Sequence, residues 1–366
     1  MTNYQPYVLY SPDIEVKQPN EEQQIREVVE SMARVNRLMF DKHRHAVRDA
    51  HAKSHGILRG ELEIYPDLPD ALAQGIFKAP MKYPVIIRLS TAPGAIMPDG
   101  LPTLRGMAVK LIGVEGKKFL PEEADAVTQD FLLVNHPVIP TGTIETYLEQ
   151  QRKLEKSADL PEELVEVQGK LTTAAYKALN TIGIHPEPNT IGAGKPNTNI
   201  LGETFFTMAA LRYGDYVAKL SAAPLSENLR ALTGQEIDGD NDSALRDLVV
   251  DFFRNNSAEY ELRVQLCTDL AAMPVEDGSI EWPQEKSPYQ TVGKITIPSQ
   301  EAYSPQRRVY ADDVLSFNPF HCIPEHRPLG GIMRVRRLAY ETSSKYRHHM
   351  NAQPRLEPQS IDELPN

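Results

Sequence analysis

Residues 260–267, YELRVQLC, alternate without a break. In an extended chain Tyr260, Leu262, Val264 and Leu266 fall on one face, and Glu261, Arg263, Gln265 and Cys267 on the other. Such a stretch is a half-buried strand, with a core on one side only. The pattern recurs in GELEIY, YPVIIRLST, GMAVKLIGV and QDFLLVN between Gly56 and Asn135, and later in ETFFTMAALRY, DYVAKLSAA and TVGKITIP. Gly, Pro, Asn and Asp punctuate these runs. Strands in two groups with helices between them predict an α+β fold: a closed or strongly curved antiparallel sheet, a β-barrel with added helices.

Val28, Val29, Met32, Val35, Leu38 and Met39 recur at helical spacing and predict a helix from about Glu21 to Ala50. Further helices are predicted over roughly 142–182, with a break at 157–161, and near 226–233 and 243–254. Residues 1–20 are polar and broken by proline, and read as an N-terminal arm. No run is apolar enough to span a bilayer. The formal charge of −11 argues against a nucleic-acid partner. Cys267 and Cys322 stand far apart in no paired spacing, which predicts reduced thiols and a cytoplasmic protein. With 366 residues, 41% of them apolar, the chain can bury a core large enough to hide a bulky ligand.

Three stretches carry candidate chemistry. In RVRRLAYETSSKYR, residues 334–347, helical geometry sets Arg336, Tyr340 and Arg347 on one stripe. A cation within about 4–6 Å of a phenol favours the phenolate, a hard anionic donor suited to ferric iron. A basic surface helix pairing with acids such as Glu341 would have the same letters. RDAHAKSHG, residues 48–56, puts His51 beside Arg48 where the long helix gives way to the first strand. A histidine at a cavity can shuttle protons; a satisfied structural histidine is the plainer alternative. His55 follows four residues on, without a carboxylate to complete a metal site.

In YPVIIRLST, alternation puts Arg88 and Ser90 on one face. If that face lines the inside of a curved sheet, the buried charge needs an anion to meet it. An edge strand with its polar face in water needs none. His348 and His349, and the off-stripe Arg334 and Arg337, read as solvated. Cys322 and His326 form no metal pattern.

Taken together and in order, these stretches resemble the haem catalase family from about residue 43 to 350. RDAHAKSHG is similar to the distal-histidine segment, and VIIRLST to the strand carrying an arginine and a serine. LRGMAVKL resembles the family's Arg-Gly-Phe-Ala-Val-Lys strand, and RRLAY the proximal Arg-x-x-x-Tyr motif. VEDGSIEWP and FNPF resemble text of small catalase-related haemoproteins. The resemblance implies one catalase-like haem domain over 21–366. Its barrel would cover about 56–300, a connecting and proximal-helix segment about 301–350, and a tail 351–366. It makes Tyr340 the axial ligand of a haem b iron. Arg336 would keep the phenolate ionised, and His51 would be the distal acid–base, oriented by Ser90. Arg48, Arg88 and Arg347 match the family's propionate-binding arginines.

The departures from the family refine this expectation. A gapless alignment puts the peroxide-binding asparagine of ordinary catalases at Val127 and a distal phenylalanine at Ile139. Ser54 replaces a glycine, and the chain is much shorter than ordinary catalases. The resemblance therefore implies peroxidase-like use of hydrogen peroxide or organic hydroperoxides, with weak catalase activity and an organic electron donor. The alternative is a fatty-acid hydroperoxide isomerase or lyase of the allene oxide synthase kind. Those enzymes carry a threonine before the distal histidine, where this chain has Ala50. A non-enzymatic haem carrier or sensor fits less well, because His51 and Ser90 are both retained. A homo-oligomer is also expected.

Overall fold

The computed structural model describes residues 7–158, 160, 196–237 and 241–366, with scattered positions between 164 and 178. The second part of the helix predicted over 142–182, and most of PEPNTIGAGKPNTN, lie outside the described residues. The strands are β1 (Lys53–Ile64), β2 (Lys82–Thr91), β3 (Arg105–Ile112), β4 (Thr128–Val134), β5 (Phe205–Phe206), β6 (Leu211–Tyr213), β7 (Tyr216–Pro224), β8 (Ala258–Leu266) and β9 (Gln290–Ile297). All pair antiparallel in the order β5-β4-β3-β2-β1-β9-β8-β7, and β7 returns to β5 through Phe205 opposite Ala222. The sheet is thus a closed eight-stranded barrel, with β6 as an extra pairing on β7. Closure removes the sheet edges that would otherwise expose unpaired backbone groups.

The period-two pattern decides what fills the barrel. Val85, Ile87 and Leu89 of β2 share one apolar core with Met107 and Val109 of β3 and with Tyr260, Leu262 and Val264 of β8. Each such side chain contributes about 1.5–3 kcal/mol when fully buried. Helix α3 (Ala244–Asn255) adds Leu245, Val249 and Phe253 to this core. Gly56 of β1 admits it closely, since a Cβ there would stand 2.7 Å from Val249 Cγ1.

Alternation therefore points Ile86, Arg88 and Ser90 outward. They do not meet water. Ile86 packs with Ile57, Ala311, Leu315 and Phe317, because a connecting segment wraps this side of the barrel. Both readings of the Arg88 strand are corrected here: Arg88 lies neither inside the barrel nor on a solvated edge. It is buried between two layers, with 2% of its surface exposed.

The wrap consists of a short helix, Pro305–Val309, a π turn, Tyr310–Val314, and helix α4 (Gly331–Met350). Buried Arg307 ties it down, donating to the Ile57 carbonyl at 2.8 Å and to that of Pro365 at 2.9 Å. Lys110 anchors the tail, pairing with Asp130 and Glu357 at 2.7 Å each. Helices α1 (Glu21–His43) and α2 (Ile144–Ala158) pack on α4 through Val28, Met32, Ile144, Leu148, Val335 and Ala339.

Two residues expected in solvent hold this layer together instead. Arg334 pairs with Glu21, Glu276 and Glu15, and His348 is buried, with Nε2 2.9 Å from the Val314 carbonyl. Among the described residues no helix is long and apolar enough to cross a membrane.

Candidate active site

One wall of the site is built where α1 stops. The helix ends at His43 rather than near Ala50, because Arg44 takes a left-handed conformation at φ 53°. Residues 45–52 then lead as a loop to β1. His51 is itself left-handed at φ 54°, a conformation that costs a non-glycine residue and persists only when its surroundings enforce it.

The outer face of the barrel provides that enforcement. Ser90 Oγ lies 3.3 Å from His51 Nδ1, and the imidazole lies over Gly106 of β3. A Cβ at Gly106 would stand 2.6 Å from Nδ1 and 2.9 Å from Ser90 Oγ. Burial, with Arg88 and Arg336 nearby, pushes the His51 pKa down to about 3 from 6.5. The ring is therefore neutral at neutral pH.

Gly106 was missed as a site residue, although its strand carries the family-like text. The variant Gly106→Ala is expected to displace His51 or to cost about 1–3 kcal/mol by overpacking. Urea denaturation measures the cost. Wild-type stability in the variant would show that the ring does not depend on the glycine.

The opposite wall is α4. Arg336 Nη2 donates to Tyr340 Oη at 2.6 Å, and its guanidinium carbon lies 5.2 Å from the ring centre. Burial works to lower the Arg336 pKa, but the Tyr340 oxygen outweighs it and the net shift is upward. One turn on, Ser343 donates to Asp49 at 2.8 Å and so links the helix to the His51 loop. Burial raises the Asp49 carboxyl above its ordinary range.

Three arginines close one end of the site. Arg88 Nε and Arg48 Nη1 both donate to Asp312 Oδ1 at 2.9 Å. Arg347 donates to the Asp312 carbonyl, and to that of Leu315 at 3.0 Å. Burial would raise the Asp312 carboxyl, but Arg88 and Arg48 hold it below its usual value. Ser54, the residue that departs from a glycine, donates to Asp312 Oδ2 at 2.8 Å. Sequence reasoning missed Asp312, since a π turn has no residue signature; the only hint was an acidic pair, Asp312-Asp313, in an irregular segment.

All seven predicted site residues, Arg48, His51, Arg88, Ser90, Arg336, Tyr340 and Arg347, line one open cavity, whose empty space of about 690 Å³ includes solvent at its mouth. Ala50, Leu132, Val134 and Phe317 make its apolar lining. Val127 and Ile139 are not part of it. Val127 bonds to Val114 by backbone beyond the far end of β4, and Ile139 packs with Leu120 and Phe320.

No family model matches the chain, and no curated protein matches it. Solved structures do. A fungal catalase superposes with a TM-score of 0.59 at 18% identity, covering 89% of this chain and 67% of that one. Catalase A from Saccharomyces cerevisiae gives 0.57 at 17% identity, over 84% and 62%. A bacterial catalase gives 0.56 at 16%, over 94% and 64%. The chain thus spans about two thirds of the length of these catalases, and its fold is catalase-like.

Proposed function

We propose that the chain is a haem-dependent oxidoreductase that cleaves peroxides, peroxidase-like and weak as a catalase. The observation that carries this reading is the pairing of two walls across one cavity. His51 with Ser90 stands on the barrel face, and Tyr340 with Arg336 on the helix. The donor set fits haem. A phenol oxygen beside a cation suits ferric iron, and three guanidiniums, those of buried Arg88 and Arg347 and half-buried Arg48, suit the porphyrin's carboxylates. Tyr340 would hold the iron, and Arg48, Arg88 and Arg347 the propionates. Haem, when bound, supplies the Lewis-acidic iron at which a peroxide is activated.

The residues then have separable tasks. Ser90 occupies His51 Nδ1, which leaves Nε2 to accept the peroxide's proton and return it to the departing oxygen. A neutral imidazole is competent for the first of these steps. Arg336 keeps positive charge at the Tyr340 oxygen. Leu132 and Val134 present no amide to a small peroxide, which supports weak catalase activity and use of bulkier hydroperoxides. The same apolar lining suits an acyl chain, which favours hydroperoxide isomerase or lyase chemistry as the second reading. Buried, unpaired Cys267 and Cys322 support a cytoplasmic location.

Haem-loaded protein should show a haem visible spectrum and consume hydrogen peroxide and cumene hydroperoxide in the presence of an organic reductant. Absence of haem uptake defeats the proposal. Turnover of a polyunsaturated hydroperoxide without reductant selects the second reading.

A further inference from the structure

Of the described residues that line the cavity, Asp49 is the only acid. It is half-buried and Ala50 beside it is exposed, so this edge of the cavity reaches solvent. Ser343 donates to Asp49 Oδ1 at 2.8 Å, and among the described residues no other side chain bonds to the carboxyl. Arg336 acts on its charge without a bond, and burial outweighs both, so the carboxyl's pKa is raised. A carboxylate offers about four acceptor sites on two oxygens, and side chains here fill one of them.

The group is also held in place. The Ala52 N–H donates to the Pro93 carbonyl at 3.1 Å, and a Cβ at Gly94 would collide with the Asp49 carbonyl. The loop is thus fixed from the barrel side and the carboxyl from α4, through Ser343. Leu132, Val134 and Phe317 give the same cavity apolar walls. An acceptor at a wet edge, backed by apolar walls, matches an aromatic body with a polar hydrogen at its rim.

We propose that Asp49 is a specificity-determining residue for the organic electron donor, accepting a hydrogen bond from the N–H of an aromatic amine. The proposal rests on the peroxidase reading, which requires a donor and leaves its class open. An amine suits the place better than a phenol, because a carboxylate stabilises the positive charge an amine gains on protonation.

The test is equilibrium dialysis of the full-length, haem-loaded protein against p-phenylenediamine and against 1,4-dimethoxybenzene, which has the same ring pattern and no N–H. Dialysis reads binding without turnover. The wild type should bind the diamine more tightly by about tenfold or more, the worth of one hydrogen bond to a charged group. Asp49→Asn loses the charge but keeps an acceptor for Ser343, and should narrow the preference to about threefold. Asp49→Ala loses the acceptor as well and should abolish the preference; thermal melts verify that each variant is folded. A wild type without the preference, or a folded variant that keeps it in full, overturns the proposal alone. So does loss of the fold in both variants, which would make the carboxyl structural. A wild type that takes up no haem overturns it together with the peroxidase reading.

Discussion

Replacing Tyr340 by phenylalanine is expected to give a folded protein without the wild-type haem spectrum. The change removes one oxygen, and that oxygen is the acceptor for Arg336 Nη2 at 2.6 Å. On the proposed haem reading iron would lose its protein ligand, and the half-buried Arg336 guanidinium would lose its oxygen acceptor. An orphaned group of this kind costs about 1–3 kcal/mol, so a lowered melting temperature should accompany the loss. Haem affinity should fall by more than about 100-fold, beyond what loss of an outer partner alone produces. Visible spectroscopy of the reconstituted variant decides the matter. A wild-type spectrum would remove Tyr340 as ligand, whatever the activity.

His51→Ala should have the opposite signature, with haem retained and peroxide cleavage slowed by about 10²–10⁴-fold, the usual worth of a positioned acid–base. Stopped-flow mixing with hydrogen peroxide measures it, and unchanged kinetics would eliminate the histidine. The pH dependence of the wild type carries a matching expectation. With its pKa near 3, His51 stays neutral across the neutral and mildly acidic range, so its protonation should not limit the rate until well below pH 5. The same depression has a consequence for stability. The unfolded chain binds this proton below about 6.5 and the folded chain only near 3, so His51 stabilises the fold fully above pH 6.5. That contribution fades as the pH falls between the two values.

Much of this was legible because it depended on period. Two-residue alternation identified β2 and β8, and the four- and seven-residue spacings set Arg336, Tyr340 and Arg347 on one side of α4. Period does not say which face meets which layer. Arg88 fitted either the inside of a curved sheet or a solvated edge, because the wrap that buries it lies more than 200 residues later in the chain. Arg334 and His348 looked solvated for the same reason, since Glu15, Glu276 and the Val314 carbonyl come from remote segments. Val127 was aligned by letters alone, and the register of β4 opposite Gly106 puts Val134 at the cavity instead. Gly106 and Asp312 escaped notice because their importance lies in what stands beside them.

The cavity lies between the barrel and its wrap, which fixes an order of events during synthesis. The residues from Arg48 to Val134 that form the first wall leave the ribosome early. Those from Ser316 to Arg347 leave only after the remaining strands have been made. Every barrel strand thus precedes the second wall in the chain, while Ala302 and Ile323, which follow the last strand, complete the barrel core. Whatever the cavity holds is enclosed only when both walls, far apart in the chain, are present.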